Sequence, residues 1–363
     1  MMTINDVIFI VLLCSFIVAA VDYLLGSRLG LGHKFHEAFQ LLGALMIIIV
    51  GITTIAPIIA TSLQSIADPL YGFTGIEPAA VINTFIAIDM GGYALAEALH
   101  YNEDAKVFAW ALIGTMYGPT IAFTVPVALG IIEKQDTPHF IRGILIGIMF
   151  APIGCLAGGW MAGFSTGMML NNLIPAIGLS GFIFVGLTFK ASLVITLFTI
   201  IGKAVTVVAV FGLMLLAIDT LFVTVPNIAP LQEGMGILGQ IVIVLAGAMP
   251  LVYVISKVLE KPLQTVGAKI NLNKESSAGL LVSLAHAIPA LAIYKHMNER
   301  GKVVVAAFCV AGAFIFGGHL GFVAGVSPEH MTAMMIGKGT AGLFAIAGAL
   351  YATRHTSQTL PGK

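Results

Sequence analysis

The sequence predicts an all-α integral membrane protein: an inverted repeat of two five-segment units plus a linker helix, with a broken or re-entrant third segment in each unit. Three observations predict it. Charge is scarce, at 9% of 363 residues against 58% hydrophobic, where a soluble domain carries about a quarter charged residues. Apolar runs recur that are long enough to cross roughly 30 Å of hydrocarbon as helices. Matched polar residues return in the same order at a shift close to 196 positions.

Composition sets the frame. A mean hydropathy of +1.02 leaves too little polar surface for a solvated domain of this length. Alternating strand patterns are absent, which argues against an outer-membrane barrel, and a bilayer then admits only helices. The first apolar run, about 7–25, has no basic stretch before it and no A-x-A pattern after it, so it reads as a retained helix and not a signal peptide. Zero formal net charge gives no sign of a nucleic-acid partner. Cys14, Cys155 and Cys309 sit in apolar segments and read as small packed hydrophobes, without a redox or metal role. Glycine is abundant, and Gly154-Cys155-Leu156-Ala157-Gly158-Gly159 suits close helix–helix approach.

Membrane segments fall near 7–25, 38–62, 78–100, 107–132, 142–163, 170–189, 191–217, 235–256, 276–296, 303–325 and 331–352. Ala94-Leu95-Ala96, His100, Asn102-Glu103 and Lys106-Val107 recur as Ala290-Leu291-Ala292, His296, Asn298-Glu299 and Lys302-Val303, all at a shift of 196. The same shift carries Gly43 to Gly239 and Gly51 to Gly247, and a shift of 197 carries Ala20-Val21-Asp22 to Ala217-Ile218-Asp219. A shift of 199 carries Gly118 and Phe123 to Gly317 and Phe322. Chance likeness among apolar helices does not produce matched Asn, Glu, Lys, His and Asp. The repeat divides the chain into a first unit (1–165), a linker segment (166–190) and a second unit (191–363).

Basic residues decide how the units are oriented, because Lys and Arg collect on the cytoplasmic side. Full crossing by all segments leaves no bias. When the third segment of each unit enters and leaves on one side, Arg28, Lys34, Lys134, Arg142, Lys190, Lys257, Lys261, Lys269, Lys274, Lys295, Arg300, Lys302, Arg354 and Lys363 all fall inside. Only Lys106 falls outside, with Lys203 and Lys338 inside segments. The expectation is nine crossings and two hairpins, N-terminus outside and C-terminus inside, with antiparallel units as in many secondary transporters.

The expected chemistry lies at the breaks. The hairpin tips are Asp89-Met90-Gly91-Gly92 and Ala285-His286-Ala287-Ile288-Pro289, and the following segments are interrupted at Gly118-Pro119-Thr120 and Gly317-Gly318-His319. Interrupted segments in matching positions of two halves mark a solute site. Asp89, a carboxylate costing at least about 2.5 kcal/mol at membrane depth, either attracts a cationic group or caps the second arm. Glu97 lies two turns on and reads as a site residue or a rim residue. His286 and His319 are candidate substrate contacts or packed histidines, and Thr120 a hydrogen-bonding group or a relief for freed carbonyls. Tyr93, Trp110, Tyr117 and Phe123 offer rings to an ammonium, or packing. Asp22 and Asp219 read as caps at segment ends. Lys203 and Lys338 snorkel if they lie near an end.

Motifs for catalysis are missing: no H-E-x-x-H, no G-x-x-x-x-G-K-[ST] and no G-x-S-x-G. The sequence calls for no metal and no cofactor, and points away from an enzyme.

Several motifs in order resemble one family, the ethanolamine permeases of bacterial ethanolamine-utilisation operons (EutH type). They are Asp89-Met90-Gly91-Gly92, Gly118-Pro119-Thr120, Pro126-Val127-Ala128-Leu129-Gly130-Ile131-Ile132-Glu133, Pro152-Ile153-Gly154-Cys155, Glu260-Lys261-Pro262-Leu263, Arg300-Gly301-Lys302-Val303, His319-Leu320-Gly321-Phe322 and Ile336-Gly337-Lys338. Two positions depart from the family pattern: Asn-Asn-Ile-Pro is replaced by His286-Ala287-Ile288-Pro289, and the Asp before His319 by Gly318. The loops are also shorter. The resemblance implies transport of ethanolamine, a small amino-alcohol cation, across the bacterial cytoplasmic (inner) membrane, by facilitated diffusion. Asp89 would meet the ammonium, and Thr120, His286 or His319 the hydroxyl. The alternatives are an ion-coupled transporter of another small polar solute and, less well supported, an integral-membrane enzyme acting on a lipid head group. Membrane lipids are the other expected partners, and a homo-oligomer is compatible with the sequence.

Overall fold

A computed structural model of the chain describes residues 2–85 and 92–354, and these contain helices and connections but no strand. Helix α1 (Ile4–Leu24) starts at a capping box in which Thr3 and Asp6 exchange side-chain and backbone hydrogen bonds. Helix α2 (Leu31–Gln40) runs on into α3 (Leu42–Thr74), which stops where Gly75 turns left-handed at φ +66°. Two short helices follow, α4 (Pro78–Phe85) and α5 (Gly92–Ala98). A rod then alternates α6 (Glu103–Val107), a π-helical stretch (Phe108–Gly114), α7 (Thr115–Pro119), a second π-helical stretch (Thr120–Thr124) and α8 (Val125–Ile131). Helices α9 (Thr137–Met161), α10 (Thr166–Phe189), α11 (Ala191–Leu221) and α12 (Leu231–Lys269) are long. Short α13 (Lys274–Ser283) and α14 (Ala287–Ala292) precede α15 (Glu299–Ala311), α16 (Gly318–Val326) and α17 (Met331–Ala352).

Seven stretches among the described residues are long and apolar enough to cross a membrane: α1, α2 with α3, α9, α10, α11, α12 and α17 with the turn before it. The sequence predicted eleven segments. The four that contribute no such helix among the described residues are those at 78–100, 107–132, 276–296 and 303–325, the same four in which helix breakers had been noted. At 1.5 Å per residue, α13 and α14 reach only about 15 Å and 9 Å, far short of the bilayer. Helices α3 and α12 overrun their predicted ends at 62 and 256, since Pro57, Pro69, Pro250 and Pro262 are absorbed without stopping them.

The short helix pairs return to the level at which they began. Before α4, Glu77 Oε1 accepts from the Tyr101 amide beyond α5 (2.8 Å), and its own amide donates to Asn172 Oδ1 (2.7 Å). Before α13, Asn273 Oδ1 accepts from the Asn298 amide (3.3 Å) and its Nδ2 donates to the His296 carbonyl (2.8 Å). Residues 77 and 273 stand 196 apart. Asn102 and Asn298 cap the next helices in the same way, accepting from the amides of Ala105 and Gly301.

Glycine sets the closest crossings. A Cβ on Gly51 would lie 2.2 Å from the Ala209 carbonyl oxygen, pressing α3 on α11; a Cβ on Gly247 would lie 2.5 Å from the Leu12 carbonyl oxygen, pressing α12 on α1. Gly154 and Gly337 make a reciprocal contact between α9 and α17, so the predicted small-residue seam in α9 is used. Cys155 and Cys309 are buried as expected, but Cys14 is exposed. It lies on the outer side of the peripheral helix α1, where large apolar residues such as Leu13 and Ile17 also face outward.

Candidate functional site

The interrupted segments of both halves meet in one interface. From the first half, Tyr93 at the start of α5 and Trp110 in the first π-helical stretch pack edge-on, with ring centroids 5.1 Å apart. Phe322 of α16 closes the triangle at 5.7 Å from Tyr93 and 5.6 Å from Trp110. One turn before Phe322, His319 packs on Phe314 (5.0 Å), and Phe314 packs on His286 (4.8 Å). A second bridge is Thr120, buried, whose Oγ1 donates to the Met116 and Val310 carbonyls at 3.0 Å each.

Local sequence explains these positions. Pro119 has no amide hydrogen, and the π-helical turns on either side of it widen the rod and turn Trp110 and Thr120 toward the second half. In α15 the chain breaks outright after Ala311. The Phe314 and Phe316 amides donate to the Ser283 and Leu284 carbonyls (3.0 Å each), and Phe314 sits at φ +62°. A Cβ on Gly317 would lie 1.9 Å from the Ala285 carbonyl oxygen, so only glycine lets the break lie against the α13–α14 tip. His286 caps α14, its Nδ1 accepting from the Ile288 amide at 3.2 Å.

Among the sequence-predicted site residues, Gly92, Tyr93, Thr120, His286 and His319 are therefore joined through one interface. Asp89, Met90 and Gly91 lie outside the described residues, as does the side chain of Phe123. Glu97 lies at the rim position, bonded to Lys106 Nζ at 3.0 Å. Tyr117 is buried and reaches Ser180 (3.2 Å). Asp22 and Asp219 cap connections, accepting from the amides of Leu29 and Gly32 and of Val225. Lys203 is exposed on α11. Lys338 does not snorkel: it is 1% exposed, and its Nζ donates to the Thr115 carbonyl at 2.9 Å. It lies within α17, too far from an end to reach the membrane surface, and the first π-helical stretch ends beside it.

Sequence reasoning missed Asn83. Its Nδ2 donates to the Ala79 carbonyl (2.9 Å) and the Gly92 carbonyl (3.2 Å), tying α4 to α5. A lone Asn inside an apolar run of a predicted hairpin arm was the available signal. Elsewhere, a cavity of about 230 Å³ is lined by Phe85, Ile121, Leu179, Phe182, Leu197, Phe198 and Ile201, all apolar, which does not suit a polar solute. Among the described residues, His, Cys, Asp and Glu nowhere gather as three metal ligands would.

Fold and site together define a polytopic helical membrane protein whose two halves meet at broken helices. The chain belongs to the family described as "Ethanolamine utilisation protein, EutH", whose family model matches residues 4–352. It is 46% identical over 354 residues to the uncharacterized protein YxeR of Bacillus subtilis (strain 168), covering 97% of this chain and 96% of the relative. It is 45% identical over 352 residues to the probable ethanolamine permease EutH of Listeria monocytogenes serotype 1/2a, covering 96% and 94%. The probable ethanolamine permease EutH of Escherichia coli (strain K12) is 34% identical over 389 residues, covering 96% and 95%. That last alignment is longer than the chain itself, consistent with shorter loops here. No solved structure matches the chain. With seven long apolar helices and these bacterial relatives, it is a multi-pass protein of the bacterial cytoplasmic membrane.

Proposed function

We propose that this protein carries ethanolamine, as its ammonium cation, across the cytoplasmic membrane by facilitated diffusion, and that it is a transporter and not an enzyme. The observation that carries the reading is the meeting of interrupted helices from the two halves, lined by Tyr93, Trp110 and Phe322, in a chain similar along its length to proteins named as probable ethanolamine permeases. Broken backbone at membrane depth is tolerated where it is buried in protein or lines a cavity, and interrupted helices in matching positions of two halves point to a solute site. Aromatic faces suit an ammonium. An inside-negative potential of 100 mV supplies about 2.3 kcal/mol per charge, enough to accumulate a cation without a coupling ion.

The architecture proposed is an inverted repeat, with units 1–165 and 191–363 joined by 166–190. The crossings support it: Gly51 of α3 presses on α11 and Gly247 of α12 presses on α1. A shift of 196 exchanges the glycines, and a shift of 197 exchanges Leu12 and Ala209. Each unit's second segment thus packs on the other unit's first, as a pseudo-twofold axis requires. Nine crossings follow when the α6–α8 rod and α15 with α16 are added to the seven long stretches, leaving α4–α5 and α13–α14 as re-entrant hairpins. Asn102→Cys labels from outside on this arrangement; labelling only from the cytoplasm would restore full crossing. Uptake of radiolabelled ethanolamine into proteoliposomes tests the activity, and absence of uptake by folded protein would refute it.

A further inference from the structure

Five side-chain polar atoms in the first half are buried without a hydrogen-bond partner among the described residues, and two of them, Asn83 Oδ1, an acceptor, and Trp110 Nε1, a donor, lie on elements that meet beside the aromatic triangle. Both residues are almost wholly enclosed, at 1% and 3% exposure. The Asn83 amide has a fixed orientation. Its Nδ2 is claimed by two carbonyls, Ala79 and Gly92, which only accept, so Oδ1 faces the other way. There it meets Gly114: a Cβ at that position would come within 2.6 Å of Oδ1, and the missing side chain is what leaves the oxygen uncovered. Gly114 and Trp110 belong to the same π-helical stretch, about one turn apart. Gly92, which holds the Asn83 amide, precedes Tyr93, whose ring lies against that of Trp110. One acceptor and one donor, both unmatched, thus flank a single turn beside the aromatic triangle.

We infer that Asn83 Oδ1 and Trp110 Nε1 form the subsite that reads the substrate's hydroxyl, a specificity determinant for amino alcohols over plain amines. This rests on the ethanolamine reading above. The chemistry separates the two ends of such a substrate. An ammonium offers only donors, so it has no use for the indole N–H. A hydroxyl offers one hydrogen and a lone pair, matching the Asn83 carbonyl oxygen and the Trp110 N–H together. A site built this way discriminates against an analogue that lacks the hydroxyl, because both buried groups are then left unmet.

The experiment compares ethanolamine with n-propylamine, which has the same number of heavy atoms and no hydroxyl, in proteoliposomes carrying wild-type, Trp110→Phe or Asn83→Leu protein. Wild type is expected to favour ethanolamine on the order of 100-fold or more in kcat/KM, because n-propylamine leaves buried polar groups unmet. In Trp110→Phe, which keeps a ring in the triangle, the preference should fall to within about tenfold while n-propylamine uptake persists. Asn83→Leu should show the same shift where a thermal melt shows it folded. Unchanged preference in Trp110→Phe would overturn the inference, and so would equal loss of both amines, which is the signature of packing or of a bridging water. Wild type that moves neither amine would instead refute the transport reading itself.

Discussion

Lys106 and Lys302 stand 196 residues apart at the same place in the two halves, and both side chains are mostly buried, but they are fastened differently. Lys106 pairs with Glu97 and Glu103, neighbours in its own half whose side chains are 39% and 72% exposed. Lys302 pairs with Asp136 at the start of α9, in the other half, whose side chain is 4% exposed. Tyr294 Oη adds a bond to the Lys302 carbonyl at 2.8 Å. Farther in, the Phe314 and Phe316 amides at the α15–α16 break are bonded to the Ser283 and Leu284 carbonyls, while Asn83 Nδ2 ties α4 to α5. Equivalent lysines are thus anchored across the halves at Lys302 and within one half at Lys106.

Mutations break this comparison in graded ways. The largest effect is expected at the anchor: Asp136→Asn leaves the Lys302 ammonium buried and unpaired, costing about 3–5 kcal/mol. Glu103→Gln should leave the melting temperature in detergent unchanged, because that carboxylate is exposed. Next come the crossings, where Gly51→Ala and Gly247→Ala should each cost about 1–3 kcal/mol by overpacking. The other glycine pair matched by the repeat, Gly43 and Gly239, has nothing within 4 Å of a Cβ. Alanine there should be neutral or stabilising by about 0.5–1 kcal/mol. Unequal effects at Gly51 and Gly247 would count against the twofold relation. The smallest effects belong to the caps: Asn102→Ala and Asn298→Ala should cost about 1 kcal/mol each. Asn298 should cost the more, since its Nδ2 also donates to the Asn271 carbonyl (2.8 Å).

Much of the fold was legible. Helix breakers at Gly91-Gly92, Pro119, Pro289 and Gly317-Gly318 marked the four segments that are not plain spanning helices, because glycine and proline act through the backbone and show in sequence. Asp22 and Asp219 read as caps from their places at segment ends, and both accept from backbone amides of the chain that follows. Other features depend on packing and were not legible. The predicted ends of α3 and α12 followed falling hydropathy, but a helix continues until a breaker such as Gly75 stops it. The π-helical turns leave no local signature around Phe108–Gly114. Lys338 and Asn83 sit in apolar runs, and only the fold shows whether such a residue faces a membrane edge, a neighbour's carbonyl or an enclosed space. At Asp89 and Gly91 the expectation of a substrate contact stands as a proposal.

The most direct test of the account is uptake of radiolabelled ethanolamine by purified protein in proteoliposomes, with and without an imposed inside-negative potential. Facilitated diffusion of the cation predicts accumulation that rises with the potential and needs no sodium or proton gradient, by about tenfold for each 60 mV or so. Uptake that occurs only with an ion gradient would contradict uniport, and folded protein that moves no ethanolamine under either condition would contradict the function proposed.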